Sequence, residues 1–169
     1  AVSSGGCADG ERLLGDAELA LRSARRAGLG QIGVFDATLR REAMDQAQTV
    51  QELQRALQRA EFVVHYQPIV DLLGSDVHLE ALVRWQHPER GLLAPAAFLD
   101  IATEAGLLSR IGSLVLREVA AMAVRMRADG MPTRVAFNLP AAQLNESFVM
   151  ELLGVAGETG LDPSQLIVE

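Results

Sequence analysis

Lysine is absent from this sequence. All 15 basic residues are arginine, set against 22 acidic ones, for a formal net charge of −7 over 169 residues. Chemistry that needs a P-loop lysine, a Schiff-base lysine or a neutralising ε-ammonium group therefore cannot be completed within these residues. The acidic balance also denies the chain the basic face that a binder of nucleic-acid polymers or anionic membranes needs. Cysteine occurs once, as Cys7, which excludes an internal disulfide and any cysteine-based metal site, so a reducing cytoplasm is the expected home and an inert thiol the expected role. No apolar run approaches the roughly 20 residues that cross a bilayer, and the start AVSSGGCADGE lacks the basic and apolar regions of a signal peptide. No membrane contact is expected from this segment, although a parent protein anchored upstream is compatible with it. Aromatic residues make up only 4% of the chain, but 49% is hydrophobic and 22% charged, which suits a globular chain with a buried core.

Residues 1–10 read as the end of a strand and its loop. From Glu11 to Ala27, apolar residues at 13, 14, 17, 20, 21 and 24 have helical spacing, with Gly28 and Gly30 as stop signals. QIGVF, residues 31–35, predicts a short strand. Asp36 is placed to cap a polar, Ala/Gln-rich helix to about residue 60, with apolar positions Leu39, Ala43, Ala47, Val50, Leu53 and Leu57. That helix reads as an amphipathic linker in preference to a coiled-coil seam, which needs more sustained heptads.

Beyond residue 61 the texture changes. FVVHYQPIVD predicts a strand ended by the LLGSD turn, and VHLEALVRWQ alternates apolar and polar residues up to the loop HPERG. Helices are expected from Pro95 to Ala105 and from Leu107 to Ala128, then a buried strand in TRVAFNL, a helix over residues 147–159 and a final strand in QLIVE. From the second strand on, the alternation of strands and helices points to an α/β fold with a parallel sheet, in the manner of a (β/α) barrel.

In such folds, polar residues at the C-terminal ends of strands face the site. Glu80 in VHLEALVRW, Asn138 after VAF and Glu169 after LIV each emerge from an apolar strand. Any one alone is as well explained as a satisfied polar residue at a sheet edge. Together they form a hard-oxygen set that suits Mg2+ or Mn2+ better than zinc. His65 and His87, without a second His or Cys at ligand spacing, read as structural, Trp85 as packing, and Arg25 and Arg26 as complements to a helix dipole.

HYQPIVD, EALVRWQHPERGLLAPAAF, TEAGLL, VAFNL and ETGLDPSQLIVE, in this order over residues 61–169, resemble the EAL family of cyclic di-GMP phosphodiesterases. Upstream, LLGDAELALRSARRAGLGQIGVFD resembles the closing part of a GGDEF diguanylate cyclase domain, and the two families are often fused in this order. The resemblance implies a GGDEF remnant over residues 1–36, a helical linker over 37–60 and the first half of a TIM-barrel-like EAL domain over 61–169. It implies metal ligands at Glu80, Asn138 and Glu169, with Glu80 catalytic, and cyclic di-GMP contacts at Gln67, Leu82 and Arg84. The implied reaction is metal-dependent hydrolysis of one phosphodiester of the second messenger to linear pGpG. Leu139-Pro140 stands where the family has Leu-Ser, and the family's later acidic ligands and active-site lysine have no counterpart here, so a truncated, inactive fragment of a homodimeric parent is expected. A non-catalytic cyclic di-GMP receptor and a parent whose activity lies in the cyclase part are the alternatives.

Overall fold

The computed structural model describes residues 10–70, 77–131 and 134–169. Cys7, the strand end expected before residue 10 and the LLGSD turn lie outside them, as does the Arg26 side chain. By internal contacts the chain divides into two compact units, Ala1–Gln51 and Glu52–Glu169.

In the first unit, helix α1 spans Gly10–Ala27 and helix α2 begins at Ala37, running to Gln58 across the division. The Asp36 Oδ1 accepts the Leu39 N–H at 2.7 Å, so the expected N-cap is present. Ala20 and Ala24 of α1 and Leu39 of α2 are buried, and Arg40 pairs with Asp16. The strand expected over residues 31–35 is not formed. Its Ile32 and Val34 side chains are 91% and 81% exposed, and a strand is stable only when a neighbour takes up its backbone groups and its apolar side chains find cover. The segment instead runs close to α1: a Cβ at Gly33 would fall 2.0 Å from the Ala20 carbonyl oxygen.

The second unit is a mixed α/β layer structure. Strands β1 (Phe62–Val70), β2 (Val77–His87), β4 (Val135–Phe137) and β5 (Leu166–Val168) form a sheet in that order, and β3 (Gly91–Leu93) pairs with β2 as a short hairpin. β1 runs antiparallel to β2, whereas β2, β4 and β5 are mutually parallel. The parallel arrangement expected from the second strand onward is thus observed. The hairpin strand β3 begins at Gly91, the last residue of the expected HPERG loop, and the helix expected from Pro95 is a 3-10 turn, Pro95–Ala97, followed by α3 over Leu99–Glu104.

Helix α4 (Leu108–Ala128) covers one face of the sheet with a stripe of Ile111, Val115, Leu116, Val119, Ala120 and Ala123, with the three- and four-residue spacing that a helix against a flat layer requires. Helix α5 (Glu146–Thr159) starts at Asn145, whose side chain accepts the Phe148 N–H, and stops at Gly160 in the left-handed region, φ 72°. Ser113 donates to Glu151 at 2.9 Å and Arg117 pairs with Glu158 at 3.1 Å, tying α4 to α5. Beneath the helices, Trp85, Phe62 and Phe98 form an aromatic cluster with ring centroids 5.6 to 5.9 Å apart, close enough for the edge-to-face contacts aromatic rings prefer.

Candidate active site

Side chains along a strand alternate between the two faces, so the ladder register decides which residues meet. Gln67 stands opposite Glu80, His65 opposite Leu82 and Val63 opposite Arg84 across the antiparallel pair. Across the parallel pair, Glu80 stands opposite Ala136. Asn138, two residues beyond Ala136, therefore shares its face with Glu80, Leu82 and Arg84. The opposite face carries Ala81, Trp85, Val135 and Phe137, all buried. The alternation in VHLEALVRW thus separates a polar face from the face packed on α4.

Glu80 and Asn138 meet. The Asn138 Nδ2 donates to Glu80 Oε1 at 3.1 Å. On the next strand, the Glu169 N–H donates to the Phe137 carbonyl at 3.1 Å, and the Glu169 carbonyl accepts the Leu139 N–H at 2.8 Å. Glu169 thus stands beside Asn138 in the ladder, on the same face, because parallel neighbours bracket the residue they pair with. All three oxygen-bearing residues lie at the C-terminal ends of the parallel strands β2, β4 and β5 or just beyond, where open α/β sheets bind ligands. Asn138 and Glu169 are exposed and Glu80 is partly covered, so the face is open to a ligand.

Gln67 is exposed beside Glu80, and Leu82 is partly buried. The Arg84 Nη1 donates to the carbonyl of its neighbour Val83 at 2.9 Å, which uses one donor of the fork and leaves others able to meet a phosphate.

Among the described residues, no group of three or more His, Cys, Asp or Glu side chains is gathered closely enough to hold a metal ion. The converging set is one carboxylate hydrogen-bonded to one amide, with a second carboxylate on the adjacent strand. Such hard oxygens suit an oxygen-seeking divalent cation. With the amide nitrogen turned toward Glu80, a cation held by both residues requires the Asn138 amide to rotate and present its oxygen.

His65 and His87 part company. His87 is 5% exposed, and its Nδ1 accepts the N–H groups of Glu89 and Arg90 at 3.1 Å each, a structural role as the sequence suggested. His65 is exposed on the face that carries Gln67 and Leu82. The two-residue spacing of His65 and Gln67 was the signal that places both on one face. Trp85 is fully buried, so its ring packs and is closed to ligand stacking.

The EAL domain family profile matches residues 50–169. The cyclic di-GMP phosphodiesterase PdeR of Escherichia coli (strain K12) is 34% identical over 145 residues, covering 86% of this chain and 22% of that protein. The bifunctional diguanylate cyclase/cyclic di-GMP phosphodiesterase MucR of Pseudomonas aeruginosa is 34% identical over 161 residues, 93% of this chain and 23% of that protein. The solved structure of the PaMucR phosphodiesterase in complex with c-di-GMP has a TM-score of 0.66 and 35% identity, covering 72% of this chain and 50% of that one. The chain thus spans less than a quarter of the length of these two curated relatives.

Proposed function

The chain belongs to the EAL domain family, and on that premise we propose that the whole protein hydrolyses cyclic di-GMP to linear pGpG in a reaction dependent on a divalent metal, Mg2+ or Mn2+. The observation that carries this reading is the 3.1 Å contact between Glu80 and Asn138 at the ends of adjacent strands. Relatives described as cyclic di-GMP phosphodiesterases support the substrate.

In this reading Glu80, Asn138 and Glu169 hold the metal, which supplies Lewis acidity at a phosphoryl oxygen and makes an attacking water more acidic. Arg84 grips a non-bridging phosphate oxygen through its fork. Gln67 hydrogen-bonds a base or phosphate edge, and Leu82 gives an apolar wall to a guanine. Glu80, on the same face, orients the water by accepting its hydrogen bond.

The sheet is the first part of a TIM-like barrel, and the protein is a cytoplasmic homodimer through this domain. No helix among the described residues is long and apolar enough to cross a membrane. Residues 1–36 are the end of a GGDEF domain; the relative described as a bifunctional cyclase and phosphodiesterase aligns over 161 residues, beyond the 50–169 family match.

Incubation of the full-length protein with cyclic di-GMP and Mg2+, followed by chromatography for pGpG, tests the proposal. Turnover by the native protein and its loss in Glu80→Gln support it. Tight nucleotide binding with no pGpG formed in either protein would make the domain a receptor.

A further inference from the structure

Beside the Glu80–Asn138 pair, mainly on the helix side of the sheet, lies a second feature that the phosphodiesterase reading does not use. A cavity of about 310 Å³ opens between β2, β4 and the first half of α4. Ala81, Phe137 and Leu139 wall it from the sheet, and Ile111 and Val115 wall it from the helix, all of them buried. The partly buried Leu99 and Leu108 and the exposed Pro140 also line it. A fully apolar cavity of about 150 Å³ in another protein stays dry and takes up benzene, and ligand pockets start near 300 Å³. Well-packed cores leave few voids larger than a water molecule.

The lining carries one donor with nothing to bind. The Gln143 side chain lines the cavity, and its Nε2 is buried without a hydrogen-bond partner among the described residues. Leaving such a group unmade is costly, so each buried orphan calls for an explanation. Gly112, inside α4, makes room for that amide: a Cβ there would come within 2.9 Å of Gln143 Oε1. A glycine in a helix interior is destabilising relative to alanine, a cost that is offset if the space it leaves serves a purpose. Among the described residues no charged side chain lines the cavity, so an ionic ligand would lose its hydration without compensation.

We propose that this cavity is a binding site for a compact neutral molecule with an apolar body and a single hydrogen-bond acceptor, of the aryl or alkyl ketone class, whose carbonyl oxygen takes the Gln143 Nε2–H. The site borders the polar face that carries Glu80 and Asn138, since Leu82 and Asn138 of that face also line the cavity. It shares β2 and β4 with that face, because Ala81 follows Glu80 and Phe137 precedes Asn138.

The test uses acetophenone and α-methylstyrene, a pair of nearly equal shape in which only the first has the carbonyl acceptor. Each is titrated into the full-length protein while the methyl NMR signals of Ile111, Val115 and Leu139 are followed. Saturable shifts of these methyls by acetophenone, with at least about fivefold weaker binding of α-methylstyrene, are expected. In Gln143→Leu the two probes should bind equally. Leu108→Phe, which fills the cavity from its partly exposed side, should weaken both while thermal unfolding shows a retained fold. Absence of saturable shifts at these methyls would overturn the site. Equal binding of the two probes by the native protein, or a preference that survives Gln143→Leu, would overturn the role of the amide.

Discussion

The His87 ring directs its Nε2 at Glu52 Oε2, 3.4 Å away, while its Nδ1 accepts two backbone N–H groups. A nitrogen that accepts cannot carry the proton, so the neutral ring is the Nε2–H tautomer, donating to Glu52. Glu52 also takes the Arg90 Nη2 at 3.0 Å, and the Arg90 guanidinium lies 5.4 Å from the Trp85 ring centre. The imidazole meets the Trp85 ring edge-on, with centroids 4.9 Å apart. One histidine thus holds the turn after β2 to the last turns of α2. His87→Ala leaves two donors unmet and a gap beside Trp85, and should cost about 2–3 kcal/mol. His87→Asn, whose amide oxygen can replace Nδ1, should cost about half as much. Urea unfolding midpoints at unchanged slope measure both; equal losses in the two variants would show that the acceptor is not what matters.

Tyr66 sits on the helix-facing side of β1 and donates to the Glu118 carbonyl at 3.1 Å. Burial first, and then the Glu118 charge, push its phenol up to about 12 against the opposing effect of Arg125. A phenol raised in the folded state favours folding fully below its unfolded value near 10, and that contribution is lost as pH rises from about 10 through about 12. The folded protein should therefore show delayed phenolate absorbance relative to the urea-unfolded chain, with Tyr66→Phe as the blank. Over the same pH window, stability should fall more steeply in the native protein than in Tyr66→Phe. Superimposable folded and unfolded titrations would count against the burial of this ring.

Period-two alternation explains why the polar face was legible. VHLEALVRW places Glu80, Leu82 and Arg84 on one side and Ala81 and Trp85 on the other whatever the neighbours do, and short apolar strands that end in Asn138 and Glu169 announce their ends. Elements that depend on partners were harder to read. QIGVF has strand composition, but composition does not supply a neighbour, and its Ile32 and Val34 remain exposed. The hairpin strand β3 is only three residues long, too short for a pattern. His65 and His87 look alike in sequence, and only register and burial separate them.

Removing either member of the Glu80–Asn138 pair should be felt first in metal binding. Disturbing even a supporting partner of a ligand costs about 10–100-fold in metal affinity, so Glu80→Gln and Asn138→Ala should each weaken Mn2+ binding by about 100-fold, measured by calorimetric titration of the full-length protein. Arg84→Lys keeps the charge and loses the planar fork. It should raise KM for cyclic di-GMP by about tenfold, the equivalent of about 1.4 kcal/mol, and leave Mn2+ affinity unchanged. A fall in metal affinity in Arg84→Lys equal to that of Glu80→Gln would mean that the face had been disrupted as a whole.

The end of α2 holds a strained alanine that a single substitution can relieve. Ala60 has φ 54°, and it is the one residue other than glycine with positive φ among the described residues. The Glu61 N–H returns to the Ala56 carbonyl at 3.1 Å, the six-to-one closure of a helix whose next residue is left-handed, a position that glycine usually fills. An L-residue with a Cβ costs about 1–2 kcal/mol in that conformation, whereas glycine gives back part of the gain through its freer unfolded chain. Ala60→Gly should therefore stabilise the protein by about 0.5–1 kcal/mol, in contrast to most substitutions, and Ala60→Val should destabilise it by more than that. Chemical denaturation of the two variants side by side reads the sign. A loss of stability in Ala60→Gly would place this residue outside the left-handed region, and with it the path by which the chain turns from α2 into β1.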